Sequence, residues 1–357
     1  SRVNLPEQAP TKKQRKGREN AQKTREVALS IRPDLITQWF AFIDSAPLAS
    51  ASIAQVHAAM LSPELIALLG SSWHHGPEVV VKVQHADVQQ LMGADLRNMG
   101  RIGKFLARVL PFDPLPVVRE MQVAIPKEWD FSREARLMAT LRERIARVSK
   151  AIVVPEPVMP LCTPGMIVMS RLQGQPLTSL LAEANRGNEV ARKTAYACLL
   201  PIFEVYGHMI LVDGLMHADP HPGNIISLAG GKVGLVDFGN CKALTSAERR
   251  GLCALYLALA AGDASGAVKA VEPLGLTFGA KDQQPGGAVD LAAAMKLLLV
   301  MFDTRYVAEG SSYAFDGGNV VAGAPLTSFP GQLWSVCRSI LILRGLCHSL
   351  KFDLSIT

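Results

Sequence analysis

No CxxC pair occurs in this chain, and its six cysteines (Cys162, Cys198, Cys241, Cys253, Cys337 and Cys347) are scattered among mostly apolar neighbours. That usage speaks against a zinc ribbon and a disulfide framework and points to a reducing compartment. An uninterrupted apolar run of about eighteen residues is also missing, so no membrane-spanning segment is expected. Internal repeats and long low-complexity tracts are absent as well. The first residue is Ser1, with no signal-peptide pattern after it, so the chain reads as a fragment or a processed product. Charge is scarce at 19% and very unevenly placed. Residues 1–26 hold eight lysines and arginines against three glutamates, which accounts for +5 of the formal +6. This stretch reads as a solvated, partly disordered basic arm, and a nearly neutral globular part leaves little reason to expect a nucleic-acid partner.

What is present is a chain of 357 residues, 49% of them hydrophobic, which exceeds the size at which one core usually stops growing. Residues 26–43 read as helical. "EVVVKVQ" at 78–84 is a β-branched run of strand length, and residues 87–110 and 127–148 carry apolar side chains at helical spacing. "AIVVPEPV", "MIVMSRL" and "KVGLVDFG" (232–239) are further strand candidates. From about residue 177 the chain turns mainly helical, and 275–287 and 309–325 read as loops. Strands early and helices late predict an α+β bilobal protein with its chemistry at the junction. The expected parts are the arm 1–26, a strand-containing lobe 27–168 and a helical lobe 169–357.

The chemistry is concentrated in "LMHADPHPGNI" (215–225) and "GLVDFG" (234–239). Asp219 and Asn224 are five positions apart, and Asp237 follows Asn224 by thirteen, at the end of a short strand. Phosphoryl transfer needs a carboxylate to take or orient the proton of the attacking hydroxyl, and oxygen ligands to hold Mg²⁺ against nucleotide phosphates. Asp219 suits the first role; Asn224 and Asp237 suit the second. Gly239 is expected to supply the unusual backbone angle of the turn after Asp237. Lys82, in the middle of an apolar strand, needs an acidic partner, and the helix 127–148 offers Glu128, Asp130 and Glu134. The four-residue spacing of His217 and His221 resembles a zinc pair, but Pro220 and Pro222 preclude the helix that would align the rings. No structural zinc is expected, and the histidines are expected to hold the loop by hydrogen bonds.

Together "PLASASIAQVHAA", "VVVKVQHADV", "EWDFSREA", "MHADPHPGNI" and "GLVDFG" resemble the UbiB-like atypical kinases, also called aarF-domain kinases, from about residue 40 to the end. The ending "CRSILILRGLCHSL" is similar to members from photosynthetic eukaryotes. The resemblance implies a protein-kinase-like fold in which an alanine-rich loop, here Ala49, Ser50, Ala51 and Ser52, replaces a glycine-rich one. Ser50 stands where the family more often has alanine. It also implies that Lys82 contacts phosphates and pairs with Glu134, and that Asp219 holds the catalytic-base position. Asn224 and Asp237 become magnesium ligands, and Met169, Ser170, Arg171 and Leu172 the hinge that holds adenine. Glu128 and Asp130 match an acidic E-x-D pair. The family's upstream K-x-G-Q element is not found; "KKQRKGREN" has its composition but not its pattern, so either the chain begins downstream of that element or this protein lacks it. ATP or ADP with Mg²⁺ is the implied cofactor set. The implied function is an atypical kinase or ATPase in prenylquinone or lipid metabolism, peripheral to a membrane in a plastid or mitochondrion. Two other readings stay open: a small-molecule phosphotransferase of the aminoglycoside or choline kinase type, and a nucleotide-binding scaffold with little turnover.

Overall fold

The computed structural model describes residues 38–51, 53–85, 95, 98–102, 129–279, 289–305, 326–352 and 354. The basic arm, Ser52, Glu128, most of the helix read at 87–110 and the loop at 309–325 lie outside these residues. In chain order the strands are β1 (Phe40–Ser50), β2 (Ala54–Leu61), β3 (Glu78–Gln84), β4 (Ile152–Val153), β5 (Met166–Ser170), β6 (Gly174–Pro176), β7 (Leu215–His217), β8 (Ile225–Leu228), β9 (Val233–Leu235) and β10 (Cys241–Ala243), before a short β11 (Thr277–Phe278) and β12 (Leu326–Ser328). The helices used below are α1 (Pro63–Leu69), α2 (Phe131–Val148), α3 (Leu177–Asn185), α4 (Glu189–His208), α5 (Ser246–Ala261), α6 (Ala264–Val271), α7 (Leu291–Phe302) and α8 (Gly331–Leu350).

The chain divides into two units. One takes the described residues up to Arg136 together with Glu156–Arg171; the other takes Leu137–Pro155 and everything from Leu172 on. The passage between them thus falls at Arg171 and Leu172, three residues past the boundary read at 168/169, and the later part of α2 counts with the larger unit.

The smaller unit is an antiparallel sheet in the order β1-β2-β3-β5. Strand alternation sends Val79, Val81 and Val83 of β3 into a core with Phe40, Leu61, Trp73 and Val168. Lys82, between two of those valines, is therefore on the other face. The helix read over 26–43 is not borne out at its end: residues 40–43 are strand, with Phe40 opposite Leu61 and Ile43 opposite Ala59. A long-range partner strand outweighs local preference there. Ser62 caps α1 by accepting from the Leu65 backbone N–H at 3.2 Å, with Pro63 in the first turn.

In the larger unit, β4-β9-β8-β6 form a second sheet in which β4 runs parallel to β9, and β7 pairs separately with β10. Around these pack the helices, with Leu199, Ile202, Phe203 and Tyr206 of α4 all buried. The helical stretch Glu189–Asp213 is long and apolar enough to cross a membrane by composition, but 56% of its most apolar window is buried within the protein. A core helix passes the same test. The stretch ends in a π-turn, Met209–Asp213, closed by Gly214 at φ 70°. A side chain on Gly214 would meet Arg249 at 2.7 Å, so this turn into β7 admits only glycine without rearrangement.

Candidate active-site residues

In the smaller unit the predicted lysine finds its carboxylate. Lys82 is 9% exposed and Glu134 3%, and the Lys82 Nζ donates to Oε1 of Glu134 at 2.7 Å and to Oε2 at 3.0 Å. The lysine does not reach for solvent; its ammonium lies 5.0 Å from the Phe131 ring centroid. Helical periodicity explains the choice of partner. Phe131, Ala135, Met138, Leu141 and Ile145 form the buried stripe of α2, and Glu134 falls within it. Asp130 stands before the helix and serves its start instead, accepting from the Ser132 N–H at 2.9 Å and meeting Arg136 at 3.6 Å. Glu128 lies outside the described residues.

The alanine-rich segment ends β1 and begins the turn into β2. Ala51 N–H donates to the Ala54 carbonyl at 2.9 Å, and the His85 ring nitrogen lies 3.1 Å from the Ala51 carbonyl. Ala49 is opposite Val56, which is opposite Lys82, so loop and lysine are in register across three strands. Ala49, Ser50 and Ala51 are exposed, and none of them has a positive φ, so the turn has no need of glycine at these positions. In the segment expected to be the hinge, Met169 and Ser170 are buried and end β5, while Arg171 is exposed. Ser170 Oγ accepts from the Glu156 N–H at 2.9 Å, and its own N–H donates to the Glu156 carbonyl at 2.9 Å.

In the larger unit, one hydrogen-bonded arrangement gathers Asp219, Asn224 and Asp237. β7 leads into the loop, β8 and β9 form a hairpin with Ile225 opposite Leu235, and β10 returns to pair Cys241 with His217. Two backbone bonds close it, from Ala218 N–H to Asn240 at 2.8 Å and from Val236 N–H to Asn224 at 3.0 Å. Residues far apart in sequence are thereby fixed at one end of the hairpin. The Asn224 amide nitrogen donates to the Asp219 carbonyl at 3.1 Å, which leaves the amide oxygen for another partner.

His217 is the post around which this loop is built. It is fully buried; one ring nitrogen lies 2.6 Å from the Tyr206 hydroxyl and the other 2.8 Å from the Asp237 carbonyl. The nitrogen facing the carbonyl must carry the proton, so the other accepts from Tyr206. Burial lowers the His217 pKa, and the carbonyl of Asp237 opposes that only in part, so the ring is a neutral hydrogen-bonding spacer. His221 has a smaller part: its Nδ1 accepts from the Gly223 N–H at 3.2 Å.

Asp237 itself carries the unusual backbone angle, at φ 63°, and Gly239 is not in the left-handed region, contrary to the expectation above. The reason is local: His217 holds the Asp237 carbonyl, and the Phe238 ring is fully buried, edge-on to His217 with centroids 5.1 Å apart. The chain must therefore turn at the aspartate rather than after the phenylalanine. Sequence reasoning missed two further residues. Tyr206 looks like any core aromatic of α4. Arg338, on α8, donates from Nη2 to Asp219 Oδ1 at 2.9 Å across 119 residues of sequence.

The donor set fits a hard cation. An aspartate and an asparagine oxygen suit Mg²⁺, which keeps waters and takes phosphate oxygens to complete its sphere. Among the described residues no group of three or more His, Cys, Asp or Glu side chains is arranged to hold a metal.

Comparison with known proteins follows the same lines. The ABC1 atypical kinase-like domain family matches residues 18–271. Probable protein kinases UbiB of Cronobacter sakazakii and of Pectobacterium carotovorum are each 33% identical over 204 residues, covering 56% of this chain and 34% of theirs. The corresponding protein of an Enterobacter species is 32% identical over 194 residues, 53% of this chain and 32% of its own. The match thus spans about a third of these relatives' length. Among solved structures, the complex of Rv3197 with erythromycin from Mycobacterium tuberculosis aligns with a TM-score of 0.64 at 20% identity, over 95% of this chain and 84% of that one. That likeness, with the strand-containing first unit and helical second, establishes a bilobal kinase-like α+β fold.

Proposed function

Since the chain belongs to the ABC1 atypical kinase-like family, with UbiB kinases among its relatives, we propose that it is an ATP-dependent atypical kinase or ATPase. The observation that carries this reading is the hairpin that gathers Asp219, Asn224 and Asp237 at one end. In the proposed reaction the bond from the γ-phosphorus to the ADP oxygen breaks as one forms to the acceptor oxygen, and the acceptor's proton passes to Asp219. Asn224 and Asp237 would hold magnesium, which neutralises charge on the phosphates when bound. Lys82, held by Glu134, contacts phosphate oxygens. Ala49, Ser50, Ala51 and Ser52 cover the nucleotide, and Met169 to Leu172 hold its base. The UbiB relatives support a place in prenylquinone or lipid metabolism, with a hydroxyl-bearing lipid or quinone precursor as acceptor.

A thermal-shift titration with ATP and ADP, with and without Mg²⁺, tests this on the chain and on Asp237→Asn. Asparagine tolerates the left-handed backbone, so the variant removes the charge and keeps the turn. Ligand at about 100 times its Kd stabilises the native state by about 2.7 kcal/mol. A magnesium-dependent rise in melting temperature that Asp237→Asn abolishes is the expected result. No shift with any nucleotide, in folded protein, refutes the reading.

A further inference from the structure

Asp219 receives its cation from the far end of the chain. Between His217 and Asn224 the loop has no lysine or arginine of its own. Among the described residues, the cation bonded to the Asp219 carboxylate is Arg338 of α8, through a single contact from Nη2 to Oδ1 at 2.9 Å. The helix that delivers it is itself anchored. Arg344, farther along α8, is 5% exposed and donates to the carbonyls of Val300, Leu299 and Asp303 at the end of α7. Val336, Cys337, Ile340 and Leu343 of the same helix are buried. Arg338 therefore extends from a fixed base.

We propose that Arg338 is a positioning residue for Asp219. By holding Oδ1 it fixes the rotamer of the carboxylate and with it the direction in which Oδ2 is presented to the acceptor hydroxyl. The inference rests on the kinase reading above and adds a residue to it. A structural role is the rival explanation, and the exposure of the pair argues against it. The Arg338 side chain is 41% exposed and that of Asp219 26%, and ion pairs so open to water contribute little to stability. Orientation is another matter. A reacting group displaced by about 1 Å costs about 100-fold in rate.

The test compares the chain with Arg338→Met and Arg338→Lys in MgATP hydrolysis, with water as acceptor, alongside melting temperatures. Methionine is expected to lower kcat about 10- to 100-fold while the KM for MgATP stays within about 2-fold, since Arg338 holds the carboxylate and not the nucleotide. The melting temperature should move by less than about 3 °C. Because the contact is made through one nitrogen, lysine can replace it and should bring kcat back to within about 10-fold of the parent. A methionine variant with the parent's kcat, or a lysine variant no better than methionine, overturns the role of Arg338 and leaves the kinase reading standing. A fall in melting temperature of more than about 10 °C with methionine assigns the pair to folding and overturns it too. No hydrolysis by the parent chain overturns the kinase reading and the inference with it.

Discussion

Replacing Lys82 with methionine should destabilise the smaller unit far more than removing the whole ion pair. Two contacts of 2.7 and 3.0 Å join the lysine to Glu134, and both residues are buried. At an effective dielectric constant of about 20, opposite charges at that separation attract by about 6 kcal/mol. Taking each ion out of water costs several kcal/mol, so the intact pair adds little net stability. A broken pair has no such balance. Lys82→Met leaves the Glu134 carboxylate buried without its ammonium, and Glu134→Leu leaves the reverse; each should cost about 3–5 kcal/mol. The double variant Lys82→Met/Glu134→Leu removes both charges from a site bordered by the buried Phe131 ring. It should lie within about 2 kcal/mol of the parent, which makes the coupling several kcal/mol. Urea unfolding followed by tryptophan fluorescence measures this, since Trp73 is part of the core of that unit. Single-variant costs that add to the double within about 0.5 kcal/mol would refute the reasoning. The same double variant separates folding from function, because it should remain stable and yet lose the proposed phosphate contact.

Two other outcomes follow from shifted acidities. The His217 pKa is lowered by burial, so the unfolded chain binds a proton more readily, and stability present above about pH 6.5 should be lost as pH falls below it. Urea midpoints at pH 7.5, 6.5 and 5.5 should show a slope approaching about 1.4 kcal/mol per pH unit that His217→Gln removes; an unchanged slope in that variant excludes His217 as its source. Burial raises the Cys162 pKa from 9.0 to about 11. At pH 8 its alkylation by iodoacetamide, followed by peptide mass spectrometry, should run about 100-fold slower than that of an ordinary thiol, and labelling at the ordinary rate contradicts the shift that its partly buried placement produces.

How much of this was legible depends on the distance over which each feature is decided. β3 was, because "EVVVKVQ" carries its preference within seven residues and its alternation sets Lys82 apart from Val81 and Val83. Residue types alone left the partner of Lys82 open among three acids on one helix, and the family resemblance named Glu134, which the structure bears out. Choosing among them without it needed the register of the buried stripe, which begins at Phe131, so that Asp130 caps while Glu134 pairs. β1 was not legible, since "FAFI" suits a helix as well as a strand and the decision belongs to β2. The unusual angle was placed on Gly239 by residue type. The fold places it on Asp237, where contacts from His217 and the burial of Phe238 outweigh the glycine's freedom. Arg338 had no local signal, for an arginine in an apolar helix can snorkel, cap or pair equally well.

Strands as short as β7, β9 and β10, three residues each, have little preference of their own. The geometry of the loop they bracket must be imposed from outside. Tyr206 comes from α4 and fixes His217; His217 holds the backbone at Val236 and Asp237; Arg338 comes from α8 and holds Asp219. A left-handed aspartate costs about 1–2 kcal/mol, and such strain persists only where the surroundings over-determine it. Here two bonds from one neutral imidazole and a fully buried Phe238 ring supply that over-determination. The backbone at Asp237, and with it the direction in which the Cα–Cβ bond leaves the chain, is therefore set by the helical core. On the proposed kinase reading, a backbone held in advance leaves less to be ordered when a phosphate binds, and that is the use the reading gives to a strained residue at this position.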